Sequence, residues 1–211
     1  MILIKKGAEA NIYLSRRYER KVILKQRLDK EYRIPELNNR IQSSRTKKEA
    51  QIIHKAKESG VPTPIIFLVD QNKAEITMEF IEGRQLKLLL EKLVPEERIK
   101  LFRHIGELVG LLHNKGIIHG DLTTSNMILT KEGEIILIDF GLSELGSDIE
   151  ERGVDLHLLK RALTSRHYKY ADSCFESVIE GYKTIMGTEI SKQVLTKIKE
   201  IGKRGRYIAG R

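Results

Sequence analysis

The sequence predicts an α+β fold in two unequal lobes: a small, strand-rich amino-terminal lobe with one helix, and a larger, truncated helical lobe. Three observations predict it. Short apolar and β-branched runs separated by turn residues fill the first third of the 211-residue chain. A long apolar pattern of helical period opens at Pro95 and closes at Gly116. Two polar segments, His119-Gly120-Asp121-Leu122-Thr123-Thr124-Ser125-Asn126 and Ile138-Asp139-Phe140-Gly141, adjoin strand-like runs in the second half.

The elements follow in order. Apolar runs at 2–4 and 10–14 flank Gly7, and Val22-Ile23-Leu24-Lys25 is a further short strand. A helix is expected over 38–59, stopped by Gly60 and the breakers Pro62 and Pro64. Ile65 to Val69 and Glu75 to Phe80 are two strands joined by a turn at Gln71-Asn72-Lys73. Ile81-Glu82-Gly83 breaks the pattern, so a hinge is placed at about 79–84, between an amino-terminal lobe at about 1–80 and a carboxy-terminal lobe at about 85–202 of a single domain. Pro95-Glu96-Glu97 opens the central helix, with proline in its first turn and acids at the positive end of the dipole. Ile99, Phe102, Ile105, Val109 and Leu112 give it a buried stripe. Ile117-Ile118, Met127-Ile128-Leu129 and Glu134 to Asp139 are short strands around the polar segments, and helices are expected over 150–163, 172–185 and 190–201. A basic, glycine-containing tail runs from Gly202, its charged part being 203–211.

Thirty-eight lysines and arginines against 29 acids give a net charge of +9. An excess of this size suits a polyanionic partner such as a nucleotide or nucleic acid. It equally suits the salt-laced surface of a heat-adapted protein. The single cysteine, Cys174, allows no internal disulfide and no cysteine-only metal cage, and reads as a small packing residue in a reducing compartment. No apolar run approaches the roughly 18 residues that span a bilayer, and the opening run is too short for a signal peptide. A cytoplasmic protein with no membrane partner is expected.

The polar segments carry the chemistry. Asp121 and Asn126 are five positions apart, and Asp139 lies 18 positions after Asp121. Phosphoryl transfer needs a metal clamp on the phosphates, a cation on the same phosphates and a group that places the nucleophile. A loop Asp and Asn followed by a strand ending in Asp-Phe-Gly is the protein-kinase pattern. Asp139 would bind Mg²⁺ bridging the phosphates, Asn126 would join a second metal site, and Asp121 would orient the nucleophile and accept its proton. The strand lysine that such a site needs is Lys25, and its helix partner is Glu49, which has Ile52, Ile53 and Ala56 along its own face. The plainer reading makes Thr46 and Glu49 a capping box on a later-starting helix. Gly7-Ala8-Glu9-Ala10-Asn11 occupies the place of the phosphate-covering loop with one glycine instead of three; read alone it is a turn. Backbone groups of Glu79 and Ile81 would meet the adenine edge, or simply end an edge strand. The expected cofactors are ATP and Mg²⁺.

Two absences narrow the reading. Gly120 stands where an arginine usually pairs with a phosphorylated loop, and no activation segment follows Gly141, only a short acidic link from Ser143 to Arg152. Asp155, on the next helix, either bonds the 119–126 loop from below or is an ordinary exposed acid.

Through these residues the sequence resembles the small atypical serine/threonine kinase and ATPase subunit of the KEOPS (EKC) complex, archaeal type. The resemblance runs through Gly7-Ala-Glu-Ala, Lys25, Tyr32-Arg33-Ile34-Pro35-Glu36-Leu37, Arg45-Thr46, Glu49-Ala50, both polar segments, Val154-Asp155-Leu156 and Arg204-Gly205-Arg206. It implies a minimal protein-kinase-like fold that binds ATP and Mg²⁺ and autophosphorylates or hydrolyses ATP. It further implies a role in forming threonylcarbamoyladenosine on tRNA, docking onto the metal-containing threonylcarbamoyl-transferase subunit, and a further small subunit on the amino-terminal lobe. The basic tail, with Lys203, Arg204, Arg206 and Arg211, suits tRNA phosphates or an acidic protein groove, against the plain reading of a solvated end. Three rival readings share parts of the pattern. Aminoglycoside- or choline-type kinases carry the same signature but normally add a larger helical substrate pocket than the 72 residues after Asp139 (211 − 139) would build. The intact Asp-Phe-Gly argues against a RIO-type kinase, and the full catalytic set argues against a nucleotide-gated scaffold.

Overall fold

The computed structural model describes residues 1–17, 19–30 and 33–208, with side chains to residue 204. Tyr32 and Arg211 of the sequence reading lie outside the described residues, and of Arg206 only the backbone is described.

The amino-terminal lobe is a five-stranded antiparallel sheet with one helix. Its strands are β1 (Ile2–Lys6), β2 (Ala10–Arg17), β3 (Arg20–Arg27), β4 (Ile66–Asp70) and β5 (Glu75–Glu79), in the order β1-β2-β3-β5-β4. Helix α1 (Pro35–Glu58) begins three residues before the expected start, because Pro35 is preset for the first helical position. Thr46 and Glu49 therefore sit inside the helix and are buried, which removes the capping-box reading. Gly60, at φ 86°, closes the helix in the left-handed region.

Strand β6 (Gly83–Gln85) leads into two 3₁₀ turns and then α2 (Pro95–Asn114). Beyond it come β7 (Ile117–Ile118), β8 (Met127–Thr130), β9 (Ile135–Leu137) and β10 (Glu144–Leu145). These pair as β6-β8-β9 and β10-β7. Neither β6 nor β10 is expected from the sequence; each is too short to show a period and forms only because a partner strand is in reach. Gly83 allows β6 to approach, since a Cβ there would lie 2.5 Å from the Leu129 carbonyl oxygen. The strand expected to reach Asp139 ends at Leu137, and Asp139 takes a left-handed φ of 65° that cannot continue a strand.

Helices α3 (Ile149–Arg166), α4 (Ala171–Met186) and α5 (Thr188–Ile208) complete the fold. Phe102, Ile105, Val109 and Leu112 of α2 are fully buried with Val178 and Tyr182 of α4 in the core cluster. Ile99, at the margin of that stripe, is 45% exposed, contrary to expectation. The two helices touch at glycines: a Cβ on Gly106 would sit 1.9 Å from the Val178 carbonyl oxygen, and one on Gly181 would sit 1.8 Å from that of Arg103. The segment from Gly202 is not a separate tail at its start, because α5 continues through it to Ile208. Among the described residues no helix is long and apolar enough to cross a membrane.

Candidate active site

The site lies between the five-stranded sheet and the strands β8 and β9. Lys25, on β3, is buried. Its ammonium lies 2.5 Å from Glu49 Oε1 on α1 and 2.6 Å from Asp139 Oδ1. Burial alone would lower its pKa, but the Glu49 and Asp139 carboxylates outweigh burial and hold it above the ordinary 10.5. Burial pushes the Asp139 carboxyl up, and Lys25 more than reverses this, leaving it below its ordinary value. Gly141 makes room for the cluster: a Cβ there would stand 3.2 Å from the Lys25 ammonium.

Sequence reasoning missed Arg27. Its guanidinium donates to Glu49 Oε2 at 2.6 Å, and both groups are buried. The signal was present, since residues 25 and 27 share a face of one strand. Glu49 thus accepts one cation on each oxygen, a better-satisfied buried acid than a single pair would make it.

The 119–126 loop is held from three sides. Asp155 on α3 is fully buried and accepts the backbone N–H groups of His119 at 2.7 Å and Gly120 at 2.9 Å, so of its two readings the loop-bonding one holds. Burial would raise the Asp155 carboxyl, but the hydrogen bond from His113, with the backbone donors, keeps it below its ordinary value. His113 Nε2 donates to Asp155 Oδ2 at 3.2 Å, because a carboxylate can only accept; Nδ1 then accepts from the Tyr182 hydroxyl at 3.0 Å. Burial raises the Tyr182 phenol, which keeps it a neutral donor. From the other side, the Ser143 hydroxyl donates to the His119 carbonyl at 2.7 Å. The His119 ring packs on Phe140 with centroids 4.6 Å apart, joining the two polar segments directly. Gly120 has φ 78°, and a Cβ on it would lie 2.3 Å from the Leu142 carbonyl oxygen, so the arginine usual at this position has no room here.

At the loop's far end, Asn126 Nδ2 donates to the Asp121 carbonyl at 3.0 Å and to Asp121 Oδ2 at 2.8 Å. Both amide hydrogens are thereby committed, and among the described residues Asn126 Oδ1 receives no hydrogen bond. That oxygen and the Asp139 carboxylate are hard donors of the type Mg²⁺ prefers. Among the described residues no group of three or more His, Cys, Asp or Glu is placed to hold a metal. Two protein oxygens completed by phosphate oxygens match the way Mg²⁺ is held beside a nucleotide, so the residues fit the expected ion.

A cleft of about 530 Å³ opens beside this cluster, lined by Ile12, Ile23, Met78, Ile128 and Ile138 with Lys25, Asn126 and Asp139. Its size and its apolar walls with a charged end suit a nucleotide. Glu79 and Ile81 also line it. The Glu79 N–H is spent on the Ile65 carbonyl at 2.8 Å, so it is not available to meet a base. A smaller cavity of about 260 Å³ adjoins it beneath Gly7, Ala8, Glu9 and Ala10 and reaches Asp121. Asn11, expected with this loop, lies on β2, lines neither cavity, and donates to the Tyr13 hydroxyl at 3.2 Å; alternation along β2 turns it away from the face of Ala10 and Ile12. Glu9 is paired with Arg45 at 2.8 Å.

Residues 4–169 match the family described as the protein kinase domain. Over 98% of its length the chain is 52% identical to the KEOPS complex subunit Bud32 of Pyrococcus abyssi and covers 96% of that protein. It is 44% identical over 97% of its length to a probable bifunctional tRNA threonylcarbamoyladenosine biosynthesis protein of Methanothermobacter thermautotrophicus. A protein of the same description from Methanobrevibacter smithii is 41% identical. The chain spans 36% of each of these two longer proteins.

Proposed function

This chain belongs to the protein kinase domain family, and to the branch of it that contains the Pyrococcus abyssi subunit, and we propose that it is a Mg-ATP-dependent phosphotransferase or ATPase acting as a subunit of a KEOPS complex in tRNA threonylcarbamoyladenosine formation. The observation that carries the chemistry is the convergence of Lys25, Glu49, Asp139 and Asn126 at the end of one nucleotide-sized cleft, with Asp121 bonded to Asn126 and lining the adjoining cavity.

In this reading the adenine lies against Ile12, Ile23, Met78 and Ile128, with its edge at the Glu79 carbonyl and the Ile81 backbone. Lys25, oriented by Glu49, binds phosphate oxygens. Asp139 and Asn126 Oδ1 would hold Mg²⁺, which would neutralise charge on the phosphates. Asp121, fixed by Asn126, orients a hydroxyl or water oxygen and accepts its proton as that oxygen bonds to the γ-phosphorus. The bond from phosphorus to the bridging oxygen breaks, and ADP leaves with the electron pair. Residues 7–10 cover the phosphates.

The assembly role rests on the named relatives. In the longer relatives, described as probable bifunctional tRNA threonylcarbamoyladenosine biosynthesis proteins, the matching stretch is part of one longer chain, which supports a standing association with a second activity of that biosynthesis; the threonylcarbamoyl-transferase subunit is the proposed partner. Ile2, Leu3 and Ile4 on edge strand β1 are exposed and offer an apolar surface for a small subunit on the amino-terminal lobe. A groove between α3 and α5, lined by Lys160, Arg161, Lys199 and Lys203, extends the basic carboxy-terminal stretch and suits tRNA phosphates. Arg204 contributes less to it, being paired with Glu150 at 2.8 Å.

The test is to follow the γ-phosphate of labelled ATP in the isolated chain and with the transferase subunit added. Label in inorganic phosphate, in this chain or in the partner is expected and tells hydrolysis from protein phosphorylation. No transfer to any of them with both proteins, Mg²⁺ and tRNA present would defeat the reading.

A further inference from the structure

We propose that Lys5 is a polyphosphate-binding residue, supplying the positive charge that the glycine-poor cover loop does not; this rests on the ATP reading above. Kinase cover loops follow G-x-G-x-x-G-x-V. With Gly7 as the middle glycine, that pattern falls on Lys5-Lys6-Gly7-Ala8-Glu9-Ala10-Asn11-Ile12. The strand register agrees: Lys5 pairs with Ile12 and Lys6 with Asn11, and the Gly7 N–H closes the turn on the Ala10 carbonyl at 3.1 Å. Lys5 therefore occupies the place of the first glycine and Ala10 that of the third.

The loop so built is a poor phosphate cradle. Two Cβ atoms replace bare backbone, which limits how closely the main chain approaches an anion. Glu9 brings a negative charge, and its partner Arg45 is occupied with it. The Ala8 carbonyl is pinned by the Lys30 ammonium at 2.7 Å, so the loop is tethered away from free rearrangement.

Lys5 is placed to compensate. Four residues line both the nucleotide-sized cleft and the cavity beneath the loop: Lys5, Ile12, Lys25 and Asp139. A triphosphate chain running from one space to the other passes these four. Lys25 is already engaged by two carboxylates. Lys5 has no hydrogen bond or ion pair among the described residues, so its ammonium is available.

The experiment measures Kd for adenosine, AMP, ADP and ATP, with Mg²⁺, for the whole chain, Lys5→Gln and Lys5→Arg. One charge-assisted contact from an exposed lysine predicts a loss of about tenfold in ATP affinity for Lys5→Gln. The loss should shrink from ATP to AMP, vanish for adenosine, and be largely restored in Lys5→Arg. Lys5 is exposed, so unchanged circular dichroism is expected and separates the effect from misfolding. A Lys5→Gln protein that keeps the wild-type preference for ATP over adenosine overturns this proposal alone, as does an equal loss for both ligands. A wild-type chain with no preference for ATP over adenosine overturns the ATP reading, and this proposal with it.

Discussion

The Asp155 carboxylate, buried on α3, accepts the backbone N–H of His119 at 2.7 Å, so the loop that carries Asp121 is fixed by an acid 36 positions further along the chain. A buried acceptor serving two backbone donors and a histidine is costly to remove, because each donor is left unsatisfied. Asp155→Ala is expected to cost about 3 kcal/mol of stability. It should also slow ATP turnover more than it weakens ATP binding, since the loop positions Asp121 and not the base. Thermal unfolding and turnover, measured together, check both; unchanged turnover in a folded variant would separate the loop from Asp155.

Lys25 and Arg27 converge on one buried carboxylate. Glu49→Gln leaves two buried cations facing a neutral amide, and a destabilisation of about 3 kcal/mol or more is expected. Arg27→Met leaves the Lys25–Glu49 pair intact and should cost less. A double-mutant cycle between Arg27 and Glu49 should return a coupling well above that of an exposed ion pair. Additivity would show that Arg27 only packs.

Asp139→Ala removes the carboxylate assigned to the metal and should abolish Mg-dependent ATP turnover. Asp121→Ala should lower the rate by about 10²–10⁴ while sparing nucleotide affinity. If affinity collapses and the rate per bound ATP does not, Asp121 is structural.

Gly106 marks the crossing of α2 and α4. Gly106→Ala places a Cβ 1.9 Å from a carbonyl oxygen on the other helix, so the helices must separate. A loss of about 3 kcal/mol is expected, against about 1 kcal/mol for Gly133→Ala, where the cost is only a positive φ and nothing lies within 4 Å. Urea midpoints of the two variants give the comparison.

Stability should fall below pH 6.5. Burial lowers the pKa of His119, and also those of His157 and His167, below the ordinary 6.5. The unfolded chain then binds more protons between those lowered values and 6.5, so unfolding free energy rises with pH across that window and is fully present above it. Asp155 and Asp139, lowered in the fold, add a second loss only in stronger acid, below their ordinary value of 3.8. Urea unfolding from pH 7.5 to 4.5 should show the first decline, and His119→Asn should flatten part of it.

Much of this molecule is legible from local patterns. The apolar stripe of α2, the strands around Gly7 and the two polar segments follow from periodicity and turn chemistry, which act over a few residues. Boundaries were less legible. Helix α1 starts at Pro35, three residues before its expected start, and α5 continues past its expected end at 201 to Ile208. Strands β6 and β10 exist only through pairing with β8 and β7, contacts between segments far apart in sequence.

The site divides in the same way. Sequence alone determined which chemical groups are present: a lysine on a strand, an acid on a helix face, and Asp, Asn and Asp at kinase spacing, because those depend on order along the chain. The tertiary structure decided what each group touches. It placed Arg27 on Glu49, Asp155 beneath His119, and Asn11 away from the cleft, and it made glycine obligatory at 120 through the Leu142 carbonyl. Burial and hydrogen-bond distance are properties of segments brought together in space, and no window along the chain contains them.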